Sequence, residues 1–310
     1  VDPGTGTASD PRRLAVLGCA VLETELEHFA QQLEHETGVP DIVAYTKLEQ
    51  GLHNDPPRLR RELQAAIDRV EAESRPDAIV LGYGLCSRGV DGLFARHATL
   101  VIPRAHDCIT VLLGDRRRYA DYVAKNPGTY WYSPGWNRHH TPPGRERYDK
   151  LYAKYVEDYG EDNAAFLMEQ EQHWFTTYNR ATYVHLTVGA SDPDKRYTKD
   201  CARWLDWNYD EQAGDPQLLI DLLGGNWDAD RFIVVPPGHR LKMTGDEDIL
   251  TSEPMTEEEL REGEEVACSR NNDAGSVHMH QDPATIHLQS INLQSDLEQF
   301  PAHLEDQVIS

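Results

Sequence analysis

The sequence predicts an α/β protein built from parallel, doubly wound sheets, and three observations lead to that class. Short apolar runs recur along the chain and are closed by glycine or proline. Longer segments with apolar residues at spacings of three and four separate them, as in amphipathic helices. Of the 310 residues, 39% are apolar, which is enough to cover such sheets with helices. Strands that alternate with helices in this way are typical of parallel sheets.

The first half opens with a buried strand, residues 14–18 (LAVLG). The helix after it carries an apolar stripe at Leu22, Leu26, Phe29 and Leu33. The remaining elements predicted for this half are strand 41–45, a helix from Pro56 to Glu73, strands 77–84 and 99–103, a helix from Cys108 and a helix over 116–125.

The second half repeats the pattern after an aromatic segment. Its predicted elements are a strand from Thr129, an aromatic loop through residue 140, helices 144–158 and 161–178, strand 183–188, helices 195–205 and 215–223, and strand 232–236. Asp55-Pro56 opens a helix that leads to AIVLGYG, and Asp215-Pro216 opens one that leads to FIVVPPG. We therefore expect two similar Rossmann-like lobes, residues 1–135 and 136–243, joined by the long helices.

The negative charge is concentrated at the carboxyl end. The chain carries 53 acidic and 30 basic residues, a net charge of −23. Residues 244–310 contribute −14 of it and contain a single aromatic residue, Phe300. We place a boundary near Met243 and predict an acidic C-terminal extension, which is either solvated or an arm that packs on a second subunit in a homo-oligomer.

Composition also excludes classes of protein. No apolar run reaches the length of a membrane span, and the first residues lack the apolar core of a signal peptide, so we expect a cytoplasmic protein with no membrane partner. The acidity argues against nucleic acid as a partner. A small-molecule substrate at the strand ends of the lobes is the remaining expectation.

Three of the five cysteines follow predicted strands. Cys19 directly follows strand 14–18, Cys86 follows strand 77–84, and Cys108 lies five residues beyond strand 99–103. Because the carboxyl ends of parallel strands share one edge of a sheet, these thiols are expected to converge. His106 adds a fourth candidate ligand. An odd number of cysteines in a chain of this class argues against disulfides.

Converging thiols allow three interpretations. Thiolates bind zinc or a [4Fe–4S] cluster, and three cysteine ligands leave one position open for a substrate. Two of the thiols could instead act as a metal-free acid and base pair. Alternatively, all three could be small core residues that happen to follow buried strands.

Other side chains near this edge are candidates for catalysis and binding. Glu23, four residues after Cys19, is a candidate general acid or base. The proposed substrate-binding residues are Tyr83, Gly84, Arg88, Arg104, Trp131 and Trp136. The glycine admits a close backbone approach, the arginines suit a carboxylate or phosphate, and the tryptophans suit a pocket wall. His139 and His140, in the same aromatic loop, are candidate proton donors.

Three segments in this order, GYGLCSRG, IPRAHDCITVLLGDRRRY and PGTYWYSPGW, resemble a family of uncharacterised archaeal and bacterial proteins defined only as a domain of unknown function. The resemblance covers about residues 13–240. It implies a one-carbon context, since members of that family occur beside corrinoid-dependent methyl-transfer systems. It thereby also implies a corrinoid protein or a methyltransferase as a candidate partner.

Three functions follow from these observations. The first is a metalloenzyme that transfers a methyl or thiol group, with Cys19, Cys86, Cys108 and His106 at the metal. The second is a non-catalytic metal- or corrinoid-binding partner of a methyltransferase. The third is a metal-free enzyme that uses two cysteines as acid and base.

Overall fold

The computed structural model describes residues 13–37, 40–86 and 88–261. Its strands are β1 (Arg13–Cys19), β2 (Asp41–Leu48), β3 (Ala78–Gly82), β4 (Thr99–Pro103), β5 (Thr129–Tyr132), β6 (Arg180–His185), β7 (Asn208–Ala213), β8 (Phe232–Val235), β9 (His239–Met243) and β10 (Leu250–Pro254). Its α-helices are α1 (Glu23–Thr37), α2 (Pro56–Ser74), α3 (Cys108–Leu113), α4 (Arg116–Lys125), α5 (Pro134–His139), α6 (Arg145–Tyr159), α7 (Glu161–His173), α8 (Asp192–Leu205) and α9 (Gln217–Gly224). Short 3-10 helices span Ala20–Leu22, Gln50–Asn54 and Trp174–Thr177.

The larger sheet has five strands in the order β2-β1-β3-β4-β8. Strands β1 to β4 run parallel, and β8 is antiparallel to β4. β1 and β3 are buried almost throughout, as expected for central strands covered by helices on both faces. Their carboxyl ends meet at Gly18 and Gly82, which are register partners. Residues that follow these two strands are therefore neighbours, and the α/β class with parallel sheets is confirmed.

The smaller sheet has three parallel strands in the order β5-β6-β7. β6 lies in the centre and is buried, whereas the edge strand β7 is polar and half-buried. Val184 and Leu186 extend the core of the larger sheet into this region. As an edge strand, β7 packs against few neighbours, and its sequence NYDEQA has no apolar face. Its pattern therefore did not predict a strand.

The assignment of strands to two lobes was wrong at two points. β5, which was placed in the first lobe, belongs to the smaller sheet, and β8, which was placed in the second, closes the larger sheet. An apolar tetrapeptide such as Phe232–Val235 fits either sheet edge, and its connection decides between them. The aromatic loop after β5 also contains a short helix, α5, capped by Ser133.

The carboxyl boundary lies beyond Met243. β9 and β10 form a two-stranded sheet, and the first compact unit of the chain ends at Glu253. The predicted acidic arm lies mostly in residues 262–310, outside the described residues. Among the helices that are described, none is long and apolar enough to cross a membrane.

Candidate functional site

Cys19 ends β1 and is 1% exposed. Its Sγ lies 3.3 Å from Nε2 of His53, within hydrogen-bonding distance. His53 lies in the 3-10 helix that follows β2, and β2 pairs with β1 so that Cys19 faces Leu48. The sequence analysis missed His53, although a residue that follows the strand beside β1 belongs at this edge.

Tyr83 packs against the Cys19–His53 pair. Its ring stacks on the His53 imidazole, with centroids 6.1 Å apart and planes 19° apart. The Tyr83 hydroxyl, which is fully buried, donates to the Gly18 carbonyl over 3.4 Å. Tyr83 thus joins the ends of β1 and β3 and holds the imidazole against Cys19, a positioning contact rather than the substrate contact that was predicted.

Gly84 lets the loop after β3 approach the loop after β4. A Cβ at this position would lie 2.6 Å from the Asp107 nitrogen and 2.8 Å from the Ala105 carbonyl oxygen, so only glycine fits. Two backbone hydrogen bonds lock the loops together, from the N–H of Leu85 to Ala105 and from the N–H of Cys86 to His106.

Cys86 and Cys108 approach each other through this contact. Cys86 adopts φ 47°, a left-handed conformation that costs a side-chain-bearing residue about 1 kcal/mol. Cys108 begins α3, and the Asp107 carboxylate caps this helix by accepting from the N–H of Thr110 at 2.8 Å. The His106 side chain is exposed, so the histidine that contacts a thiol is His53 and not the predicted one.

The three thiols act on one another electrostatically. Burial raises the pKa of Cys19 to about 12. Burial also raises the pKa of Cys86 well above its usual value, and nearby Cys19 raises it further. The pKa of Cys108 is raised by burial, by Asp107, and then by both other thiols. These three cysteines and Cys201 are free thiols, so the described residues contain no disulfide.

The three thiols share one sheet edge, but they do not form a ready site for a single metal ion. No three His, Cys, Asp or Glu side chains among the described residues are grouped closely enough to hold a single metal ion. By type, three thiols beside an imidazole still match the donors that zinc and iron–sulfur clusters prefer. The arrangement is therefore a cluster of protonated, buried thiols with one imidazole at 3.3 Å from Cys19.

The predicted acid–base residue Glu23 lies in a different setting. Its Oε1 pairs with Lys47 Nζ at 2.5 Å, and its Oε2 lies 3.8 Å from Nε2 of His139. This carboxylate is about one quarter exposed and already has a cationic partner. These contacts link the start of α1 to β2 and α5, and the catalytic roles of Glu23 and His139 stay predictions.

The two predicted anion-binding arginines lie in different settings. Arg104 donates to the carbonyl oxygens of Ala229 (2.9 Å), Asp248 (2.7 Å) and Leu250 (2.5 Å). Its guanidinium therefore fastens the segment around β10 instead of facing a substrate. Arg88 is exposed, has φ 70°, and follows Cys86 by two residues, so its side chain stays available at the rim.

The aromatic segment packs against neighbouring rings. Trp131 is 5% exposed and lies against Tyr119 and Tyr122, with ring centroids 5.8 and 4.8 Å away. Trp136, on α5, packs on His140 at 4.4 Å. These contacts give Trp131, Trp136 and His140 packing roles, and their substrate-binding and proton-donor roles stay predictions.

Gly135 brings α5 onto the turn that follows Cys19. A Cβ on Gly135 would lie 1.8 Å from the Val21 carbonyl oxygen, so the backbones touch directly. Val21 belongs to the buried 3-10 turn between β1 and α1. The Pro-Gly-Trp segment thereby fixes the position of Cys19 from outside the larger sheet.

Glu25 is a second residue that the sequence analysis missed. Its side chain is 1% exposed, and neither carboxylate oxygen has a hydrogen-bond partner among the described residues. Burial raises its pKa to about 7, while its own backbone N–H and then nearby Arg138 act in the opposite direction. A buried carboxyl group with such a pKa is a frequent feature of functional sites.

The comparisons with known proteins concern the central part of the chain. A family model described as a protein of unknown function (DUF1638) matches residues 47–223. The match includes Cys86, Cys108 and Trp136, whereas Cys19 precedes it. Comparisons with curated proteins and with solved structures return no match. The predicted resemblance to an uncharacterised domain family is thus confirmed. Because the model spans more than half of the sequence, the chain belongs to DUF1638, a protein family of unknown function.

Proposed function

We propose that the chain is an enzyme whose reaction centre is a [4Fe–4S] cluster held by Cys19, Cys86 and Cys108. The observation that carries this proposal is the presence of three buried, free thiols at or after the carboxyl ends of β1, β3 and β4, which are neighbouring parallel strands of one sheet. Buried thiols that raise one another's pKa favour a cation that takes up their negative charge when they deprotonate.

The choice of a cluster over zinc follows from how the donors are spread. A single zinc ion needs its ligands around one point, and the described residues offer no such group. In an iron–sulfur cluster each cysteine binds a different iron, so the thiols need not meet at a point. With three cysteine ligands, the remaining iron would supply a Lewis acid for a small polar substrate.

The protein's own groups have distinct tasks in this proposal. His53, held by stacking on Tyr83, would accept the proton that the Cys19 thiol releases when its sulfur binds iron. The tight contact at Gly84 keeps Cys86 and Cys108 on facing loops. Arg88 at the rim binds an anionic group of the substrate. Methyl- or thiol-group transfer with a corrinoid protein or methyltransferase as partner is the reaction class that we infer from the family resemblance alone.

Metal analysis of full-length protein tests the cluster. We expect iron and acid-labile sulfide in near-equal amounts after anaerobic purification or reconstitution. Cys19→Ser, Cys86→Ser and Cys108→Ser are each expected to lower the iron content severalfold. Cys201→Ser is the matched control, since Cys201 is also a buried free thiol but lies on α8. Stoichiometric zinc without iron, or equal iron loss in the control, would overturn the proposal.

The 3.3 Å contact between Cys19 and His53 favours a second candidate, a metal-free acid–base enzyme. Transfer of the thiol proton to the imidazole would give a thiolate that removes a substrate proton, while Cys86 or Cys108 supplies one from another direction. Iodoacetamide labelling separates the two candidates. A metal-free centre predicts that Cys19 is labelled in iron-free protein and that His53→Gln slows the labelling at least tenfold.

A further inference from the structure

A buried carboxyl group and an exposed guanidinium lie side by side at the junction of the two sheets. Glu25 is on the first turn of α1, and Arg138 is on α5. A Cβ built on Gly189 would lie 2.9 Å from Glu25 Oε1 and 3.6 Å from Arg138 Nη2. Both charged heads therefore face the same point of the loop after β6, where φ 73° favours glycine.

These opposite charges do not pair with each other. Arg138 directs its Nη1 to the Thr24 hydroxyl at 2.9 Å and its Nε to the Pro134 carbonyl at 3.1 Å. Glu25 has no hydrogen-bond partner among the described residues. A carboxylate that is 1% exposed beside a guanidinium bound elsewhere is an unusual arrangement, because buried charges are normally paired.

Two further buried polar atoms without a partner in the described part of the chain belong to residues near Arg138. The Tyr183 hydroxyl and the Asn137 Oδ1 atom are buried and accept or donate no hydrogen bond within the described part of the chain. Arg138 is close enough to Tyr183 to oppose the rise in the pKa of that phenol that burial causes. Tyr183 lies on β6 near its carboxyl end, the end at which parallel sheets bind ligands.

We propose that this junction binds a small zwitterion of the α-amino acid class. Its ammonium group fits the two Glu25 oxygens, and its carboxylate fits the Nη2 side of Arg138. The ligand carries its ammonium and carboxylate groups side by side. Glu25 and Arg138 likewise lie side by side without forming an ion pair with each other, so each can bind one group of the ligand. Arg138 is exposed and Gly189 is half-buried, so the ligand enters from the side of these residues.

This site is separate from the thiols and does not depend on the proposed cluster. Cys19 faces His53 and Tyr83, whereas Glu25 faces Arg138 and the loop after β6. Loss of iron binding in a cysteine variant therefore leaves the zwitterion proposal unaffected, and the reverse also holds.

Isothermal titration of the full-length protein with glycine and L-alanine tests the proposal. We expect saturable binding with a Kd in the millimolar range or below, while acetate and methylammonium, which each carry one charge, bind at least tenfold more weakly. Glu25→Gln and Arg138→Gln are expected to weaken binding at least tenfold. Glu27→Gln, which alters an exposed residue of the same helix, is expected to leave it unchanged.

Two outcomes would overturn the zwitterion site. One is the absence of saturable binding of either amino acid to protein with a native circular dichroism spectrum and a cooperative unfolding transition. The other is equal affinity in wild type and Glu25→Gln, which would leave ordered water as the partner of the carboxyl group. Because Glu25 has no partner to lose, Glu25→Gln is expected to fold, and circular dichroism verifies this in the same preparation.

Discussion

Glu25→Gln is expected to make the protein more stable above neutral pH. Burial raises the pKa of Glu25 from 4.5 to about 7, so the folded chain keeps the proton over a range in which the unfolded chain releases it. Folding then takes up a proton between these two values. By linkage, the contribution of Glu25 to the free energy of unfolding of the wild type is greatest below pH 4.5. It falls as the pH rises towards 7.

The magnitude follows from the size of the shift. A change of one pKa unit corresponds to about 1.36 kcal/mol, so the shift of Glu25 amounts to about 3 kcal/mol of stability lost between pH 4.5 and 8. Glutamine is neutral throughout this range and has nearly the same shape. The variant is therefore expected to match the wild type near pH 4.5 and to exceed it by about 3 kcal/mol at pH 8.

Urea unfolding at pH 4.5, 6 and 8, in buffers free of amino acids, measures this difference. Glu27→Gln controls for the loss of a negative charge, because Glu27 is exposed on the same helix; its effect is expected to stay within about 0.5 kcal/mol at each pH. The reasoning is refuted if wild type and Glu25→Gln differ by the same amount at all three pH values. That result would mean that Glu25 titrates alike in the folded and unfolded states.

Three further substitutions test packing and hydrogen bonding. Gly135→Ala is expected to destabilise the fold by at least about 2 kcal/mol in urea, since its Cβ would overlap Val21, whereas Gly51→Ala, which meets no atom within 4 Å, is the control. Glu71→Gln is expected to cost about 1–3 kcal/mol, because Glu71 accepts from three backbone N–H groups ahead of β4, and the same change at exposed Glu73 is expected to have little effect. Arg104→Lys is expected to speed proteolysis around β10 without changing iron content; reduced iron would contradict its structural role.

The placement of the thiols could be predicted because it depends on strand order alone. Cys19 ends β1 and Cys86 follows β3; these strands are parallel neighbours in the sheet, although α1, β2 and α2 separate them in the chain. Cys108 follows β4, the next strand. The order of strands and helices in the sequence therefore predicts the sheet edge at which each cysteine lies, without knowledge of any side-chain contact.

The imidazole partner and the buried carboxyl required more than strand order. His53 lies on a 3-10 helix whose path after β2 depends on tertiary packing. Glu25, in contrast, was accessible from periodicity. It lies three residues after Leu22 and four before Phe29, so it shares the apolar face of α1. Counting residues from Cys19 selected Glu23 instead, which faces Lys47 at the surface.

The same turn connects the thiol centre with the zwitterion site. Cys19 and Glu25 flank the 3-10 helix Ala20–Leu22, whose three residues are all buried. Gly135 touches the backbone of this turn, and α5 carries Arg138 three residues later. One short connection thus sets the position of a thiol on one side and of a carboxyl group on the other. This turn is held by backbone contact and has no side-chain cap. The same short segment therefore positions both proposed sites, although different side chains form each of them.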